Sequence, residues 1–338
     1  MITNAWYVAG FSPDFVRGRL HAPVVAGLPL VLWRTVDGDV VAYEGRCRHK
    51  RFPLLRSGGD LRCAYHGICY DQPGPCSPGS APSTVLPRRP VTEKDGLVWV
   101  WPGAPGRAQR VAVPDTPEIP GWATVRSEPV EVAASSRLLV ENLLDIRRSY
   151  PLHVRSLSGG TRIAMRLERR TIGGVETVKT VRRARDQQLP DVMRDWFGYD
   201  VVDREHTHHV LNPGLTRIEL RVGPGGLGGE REKGYVLHHL HTPVAPGRLR
   251  WRWTVSCRSR ELADRVADGI AWVIPEYRWA IEAQQSMLAH PERAHEDVPV
   301  KTDGAVVLLR RVFEHLERLE DEPDHAELAR LRTGVTRC

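Results

Sequence analysis

Cys47-Arg48-His49 and Cys63-Ala64-Tyr65-His66, separated by thirteen residues, constrain this chain more than any other segment. Two mixed Cys-plus-His pairs at this spacing predict two loops folded around one inorganic centre. A Rieske [2Fe-2S] cluster makes that demand, because one iron takes two thiolates and the other two imidazoles. Cys47 and Cys63 are the expected ligands of the first iron, His49 and His66 of the second. Neutral imidazoles remove negative charge and raise the reduction potential above that of an all-cysteine cluster, so one-electron chemistry is expected. Zinc is the competing reading. A Cys2His2 finger separates its cysteine pair from its histidine pair, whereas each short pair here holds one of each. Pro53, Gly58-Gly59 and Gly67 add the rigid and small residues that let loops close on a buried core.

A length of 338 residues predicts two domains. The longest uncharged apolar stretch, Ala22 to Trp33, is broken by Pro23, Gly27 and Pro29 and is too short to span a bilayer. No basic segment followed by an apolar core opens the chain, so no membrane association and a cytoplasmic location are expected. Six cysteines in a chain this long do not suggest a disulfide scaffold; Cys69, Cys76, Cys257 and Cys338 read as free thiols. The net charge is +7. Its arginines are scattered and accompany no nucleic-acid-binding pattern, so a solvated basic surface is expected, with no nucleic-acid partner. Such a surface also suits an acidic electron-carrier protein.

Short strands at Leu30–Trp33, Val40–Tyr43 and Leu97–Trp101, with an Asp37-Gly38 turn, predict an all-β first domain over residues 1–110. A proline-rich linker covers 111–125. A second domain is expected over 126–330. It opens with a strand at Ser127–Ala133 and a helix capped by Ser135 or Ser136, whose apolar face runs from Leu138 to Ile146 and which Pro151 ends. Long β segments at 162–182, 199–222 and 234–256 follow, then helices at 260–289, interrupted at Pro275, and 303–320. The run Gly223-Pro224-Gly225-Gly226-Leu227-Gly228-Gly229 precedes no helix and reads as a hairpin loop rather than a nucleotide site.

The cluster motif, the proline-rich linker and Glu141-Asn142-Leu143-Leu144-Asp145 together resemble the catalytic subunits of Rieske non-haem iron oxygenases. Asn4-Ala5-Trp6-Tyr7-Val8-Ala9-Gly10 and Glu282-Ala283-Gln284-Gln285 are similar to the monooxygenase and O-demethylase branch. The resemblance implies an α+β chain: an all-β Rieske domain, then a helix-grip domain of antiparallel sheet plus a long C-terminal helix. It also implies a homotrimer in which one subunit's cluster faces the next subunit's catalytic pocket, and a mononuclear Fe(II) held by two histidines and a carboxylate.

Here the chain departs from the family pattern. The first histidine position holds Arg148, the second holds His153, and the carboxylate position, five residues before Glu282, holds Tyr277. A guanidinium cannot donate a lone pair to iron and places a fixed positive charge where a dication would sit. Asp145 matches the family's bridging aspartate, and at helical spacing Arg148 would reach it. Catalytic roles are therefore expected for Asp145, Arg148, His153 and Tyr277; the alternative for Tyr277 is a plug, an aromatic packed beside Trp279. His206 and His208 alternate on one strand face and His239 and His241 on another, so with His153 they could make a relocated metal site, but strand histidines are more often exposed or hydrogen-bonded to neighbours than metal-bound. Three functions compete: an oxidoreductase whose Rieske cluster alone carries the redox step on a small organic molecule, an oxygenase with rewired ligands, and a non-catalytic electron-transfer subunit. An external ferredoxin or flavin reductase is expected if electrons must be supplied, since the chain carries no flavin or nicotinamide motif.

Overall fold

The computed structural model describes residues 1–54, 61–65, 67–68, 70, 86–116, 118–145, 164–172, 175–288, 290 and 303–320. The chain divides into two compact units. One comprises Met1–Asp115, Thr242–Ala245 and Leu319–Cys338; the other comprises Thr116–His241 and Pro246–Arg318.

The first unit is built from β1 (Tyr7–Phe11), β2 (Val24–Val25), β3 (Leu28–Arg34), β4 (Val40–Glu44), β5 (Arg88–Arg89), β6 (Val91–Lys94) and β7 (Leu97–Val100), followed by a single turn, α1 (Pro105–Ala108). They form a three-stranded sheet, β1-β7-β6, and a four-stranded sheet, β2-β3-β4-β5. The two-residue Asp95-Gly96 turn joins β6 to β7 with both residues at positive φ, the geometry a tight hairpin needs. Val31, Leu54, Leu61, Tyr70 and Leu86 form a small core around Cys47 and Cys63.

The second unit contains β8 (Ala123–Arg126), β9 (Val130–Val132), α2 (Ser136–Leu144), β10 (Ala164–Ile172), β11 (Val175–Gln188), α3 (Asp191–Phe197), β12 (Val201–Asn212), β13 (Leu215–Gly223), all but the last four residues of β14 (Lys233–Ala245), β15 (Arg248–Cys257), α4 (Arg260–Leu288) and all but the last two residues of α5 (Gly304–Glu320). An antiparallel sheet runs β10-β11-β12-β13-β14-β15-β8, with β9 also on β15. Side chains alternate faces along each strand. One face therefore carries Ile218, Leu220, Val222, Tyr235, Leu237, Trp251 and Trp253, which share a core with Val266, Ile270, Ile274 and Ile281 of α4. The spacing of those α4 residues is helical, and Tyr277 falls on the same stripe. The α+β antiparallel architecture expected from the resemblance is present.

Several sequence expectations need correction. Pro275 does not interrupt α4, which runs unbroken over 29 residues. Pro275 lies on the exposed side of the helix, where the carbonyl left without its amide partner can turn toward water. Ser135 is the cap of α2, accepting a hydrogen bond from the Leu138 amide at 3.2 Å. That helix ends at Leu144, well before Pro151. Asp145 has left the helical conformation, with φ −74° and ψ 86°, so the helical spacing assumed between Asp145 and Arg148 does not hold at Asp145. Aspartate is a poor helix former because its carboxylate competes for nearby backbone groups. Helix α3 was not expected. Its signals were present: Pro190 precedes it and Gly198 ends it at φ 69°, with the Gly198 amide donating to the Arg194 carbonyl.

Candidate redox and substrate sites

In the first unit, the two cysteine loops repeat one backbone pattern. The Cys47 amide donates to the Phe52 carbonyl and the Arg51 amide returns to the Cys47 carbonyl, at 2.8 and 2.7 Å. The Cys63 amide donates to Ile68 and the Gly67 amide to Cys63, both at 2.8 Å. Arg51 and Gly67, at matching places, both have positive φ (57° and 67°). The next bonds match as well, Leu54 to Gly45 and Tyr70 to Leu61. Two equivalent loops thus bring two buried thiols into one small core. Gly45 permits this packing, since a Cβ there would meet the Leu30 carbonyl oxygen at 2.9 Å.

Tyr70 lies fully buried, with its hydroxyl 3.0 Å from Cys47 Sγ and accepting from the Arg48 amide at 3.1 Å. Burial pushes the Cys47 thiol up, but bonds from Tyr70, the His49 and Lys50 amides and Cys63 outweigh burial and set it below the ordinary thiol value. Two free, buried cysteines, one of them flanked by hydrogen-bond donors, suit the sulfur end of a [2Fe-2S] centre. His49 is exposed. Phe52 and Tyr65 stack at 5.6 Å beside these loops. His66, Cys69 and Cys76 lie outside the described residues.

In the second unit, the segments that carried the resemblance clamp α2 to α4. The Ala133 amide donates to Glu282 Oε1 and the Ser135 amide to Gln285 Oε1, both at 2.9 Å, and Asn142 Nδ2 donates to Gln284 Oε1 at 2.8 Å. Burial pushes the Glu282 carboxyl up, yet its bonds from the Ala133 amide and Arg278 hold it below the usual range. Arg310 and Arg137 grip Glu141 at 2.7 and 3.1 Å. These residues fix the helix pair rather than the chemistry.

Facing the clamp, register places Arg182 opposite His206 and Thr180 opposite His208. Arg204, two residues before His206, shares that face, as do Leu220 and Tyr235 beyond it. His208 Nδ1 lies 2.7 Å from the Leu143 carbonyl, so it must carry the proton and donate. His208 Nε2 then accepts from His206 Nε2 at 3.1 Å. Both imidazoles are neutral: burial pushes His208 down to about 3, helped by Arg182, and pushes His206 well down, with His208, Arg182 and Arg204 adding to it. Tyr277 meets Trp251 edge-on at 6.4 Å. Trp279, two residues along the helix and so on the other side, is exposed. Tyr277 therefore packs on Trp251, with Trp279 turned to solvent. Burial pushes the Tyr277 phenol up to about 12, against the pull of Arg182, while Asp145 and Glu276 push it further. Tyr277 keeps its proton at neutral pH.

The strand histidines are hydrogen-bonded to neighbours. His241 is held by Ser136 Oγ on Nδ1 (3.0 Å) and Thr216 Oγ1 on Nε2 (3.1 Å), and His239 Nδ1 accepts from Trp251 Nε1 at 3.1 Å. Among the described residues no group of three His, Cys, Asp or Glu side chains is placed to hold a metal ion. Arg148 and His153 lie outside the described residues. Asp145 is exposed at the end of α2 and acts electrostatically on both Arg182 and Tyr277. Sequence reasoning missed Arg182 and Arg204; only the strand register shows which arginines of these charged strands face inward.

Twin cysteine loops around buried thiols, followed by a helix-clamped antiparallel sheet, define an iron–sulfur redox protein of the Rieske class. Comparison with known proteins agrees: the Rieske [2Fe-2S] domain matches residues 5–89 and the Vanillate O-demethylase oxygenase C-terminal domain matches residues 132–319. The chain belongs to the Rieske oxygenase alpha-subunit family and is an oxidoreductase. It is 28% identical to the Toluene-4-sulfonate monooxygenase system iron-sulfur subunit of Comamonas testosteroni, over 95% of this chain and 98% of that protein. It is 28% identical to the Dicamba O-demethylase oxygenase component of Stenotrophomonas maltophilia, over 94% and 98%. The crystal structure of dicamba monooxygenase bound to 3,6 dichlorosalicylic acid shares the fold, with a TM-score of 0.82 at 24% identity over 96% of this chain and 99% of that one. No helix among the described residues is long and apolar enough to cross a membrane.

Proposed function

We propose that this chain is a Rieske oxidoreductase that acts on a small organic molecule held between the inner sheet face and α4, and that its mononuclear iron triad is largely lost. On this reading residues 1–110 carry the cluster, 111–125 link, and 126–330 hold the substrate. Cys47, His49, Cys63 and His66 would hold a [2Fe-2S] cluster, which supplies one-electron transfer. The observation that carries the reading is the inward-facing Tyr277. It occupies the family's carboxylate position on the buried stripe of α4, protonated, against Trp251 and within the electrostatic reach of Arg182. Residues of this character do not fit a dication: a neutral phenol replaces an anionic ligand, and fixed guanidinium charge repels the metal.

The chemistry left to the protein's own groups is positioning and proton handling. Asp145 remains an acceptor at the end of α2, and Tyr277 a hydrogen-bond donor to a bound substrate. Arg148 and His153 would complete the chamber, and substrate oxidation or dehydrogenation is the expected outcome. Electrons pass to or from a separate ferredoxin or flavin protein, and a homotrimer would set one subunit's cluster against the next subunit's Asp145. A second reading, a monooxygenase with rewired ligands, is favoured by the names of the relatives and by His206 and His208, whose Nε2 atoms already converge. Product analysis under 18O2 with a supplied reductase separates the two. Unlabelled oxidised product supports the first, and incorporated label supports the second.

A further inference from the structure

We propose that His206 is a specificity-determining residue of the second unit, and that its Nδ1 accepts a hydrogen bond from an uncharged O–H or N–H group of the ligand. Protons can be counted along a chain of three groups. The Leu143 carbonyl can only accept, so His208 Nδ1, 2.7 Å away, carries a proton and donates it. His208 is neutral, so its Nε2 holds a lone pair. His206 Nε2 lies 3.1 Å from that lone pair and donates to it. Burial, then His208, then Arg182 and Arg204 keep His206 neutral as well. Its remaining nitrogen, Nδ1, is therefore a bare acceptor. The carbonyl near the end of α2 thus fixes a tautomer two side chains away. His206 makes no other hydrogen bond among the described residues. His208 is buried and His206 half-buried, so of the pair His206 is the one a ligand can touch.

A second observation lies next to the pair. Register sets Thr180 opposite His208, and so diagonal to His206 on the same sheet face. Thr180 is fully buried, and its hydroxyl has no hydrogen-bond partner among the described residues. Buried hydroxyls are nearly always satisfied. A ligand hydroxyl answers both groups: its proton goes to His206 Nδ1 and its oxygen accepts from Thr180. An amine N–H satisfies His206 alone. An ether oxygen or a halogen sets a lone pair against the His206 lone pair. Trp251 and Tyr277, edge-on to each other between β15 and α4, suit an apolar ring carrying such a group.

This inference rests on the proposed reading that the inner face is the small-molecule chamber, not on which metal performs the redox step. The test is calorimetric titration of the oxidised holoprotein with phenol, aniline and fluorobenzene, the last of similar shape without a donor. Wild type, His206→Leu and Thr180→Val are compared. Phenol and aniline should bind wild type at least fivefold tighter than fluorobenzene. His206→Leu should bring all three within twofold of one another, and Thr180→Val should weaken phenol about threefold and aniline less. Nitrogen NMR of histidine-labelled wild type gives a readout that needs no folded variant: His206 Nδ1 should be unprotonated and should shift with phenol but not with fluorobenzene. Equal binding of the three probes, no binding of any, a preference that survives in folded His206→Leu, or a protonated Nδ1 would overturn the proposal. A third iron with the donor preference intact would refute the redox reading alone. Two irons without the preference would refute this inference alone.

Discussion

The two sites of this chain have fared differently. The cysteine loops of the first unit keep motif and geometry together, with two thiols, two matched amide ladders and Tyr70 on one sulfur. The second unit keeps the scaffold of its family, the α2–α4 clamp through Glu282, Gln284 and Gln285, but Tyr277 stands where a carboxylate is expected. Scaffold and chemistry are therefore separable here. Residues that hold helices together fix the fold, while Tyr277 and Arg182 stand on its inner face.

The comparison can be broken in several places. Cys63→Ser should cause the largest effect: iron and acid-labile sulfide should fall to roughly a tenth or less, because an alcohol is a poor ligand for the cluster iron. Retained cluster would mean the twin loops do not form the site. Next, the double change Arg148→His with Tyr277→Asp should admit about one additional iron per chain, since it restores the two-histidine, one-carboxylate set. Metal analysis and the high-spin ferrous signature read the result; no extra iron would mean the rest of the pocket has diverged too.

Acid should distinguish the units thermally. His206, His208, His238, His239 and His241 all titrate below their ordinary value because they are buried. The unfolded chain binds protons near pH 6.5 while the fold does not until far lower, to about 3 for His208 and His241 and about 4 for His238. Stability is thus complete above pH 6.5 and lost as pH falls toward those values. The melting temperature of the second unit should drop by roughly 10 °C between pH 7 and pH 5, with protons taken up on unfolding in calorimetry. A flat profile would mean the histidines are not held neutral.

Smaller effects test the packing. A Cβ on Gly269 of α4 would collide with the Trp196 ring of α3, so Gly269→Ala should cost about 1–3 kcal/mol in denaturant melts. Ser135→Ala removes the α2 cap and should cost about 1 kcal/mol, with the cluster spectrum unchanged.

Much of this was legible in the sequence. Spacing marked Cys47 and Cys63, which the structure buries in one small core. The β12–β15 hairpins and α5 followed from alternation and helical periodicity. Other features depended on tertiary context. Pro275 reads locally as a helix break, yet its side faces solvent and the helix runs through. Trp279 reads as a neighbour of Tyr277, whereas helix geometry sends the two to different faces. Arg182 sits beside Arg183 in a charged strand, and nothing local tells which points inward; the pairing of β11 with β12 decides it. The Asn142 and Gln284 motif could be found by resemblance, but its clamping role appears only when the two helices meet.

The central claim is that the cluster is the chain's only redox metal. Iron and acid-labile sulfide measured on anaerobically purified, cluster-replete protein test it most directly. Two irons and two sulfides per chain are expected. Three irons with two sulfides would place a mononuclear iron in the second unit and contradict the account.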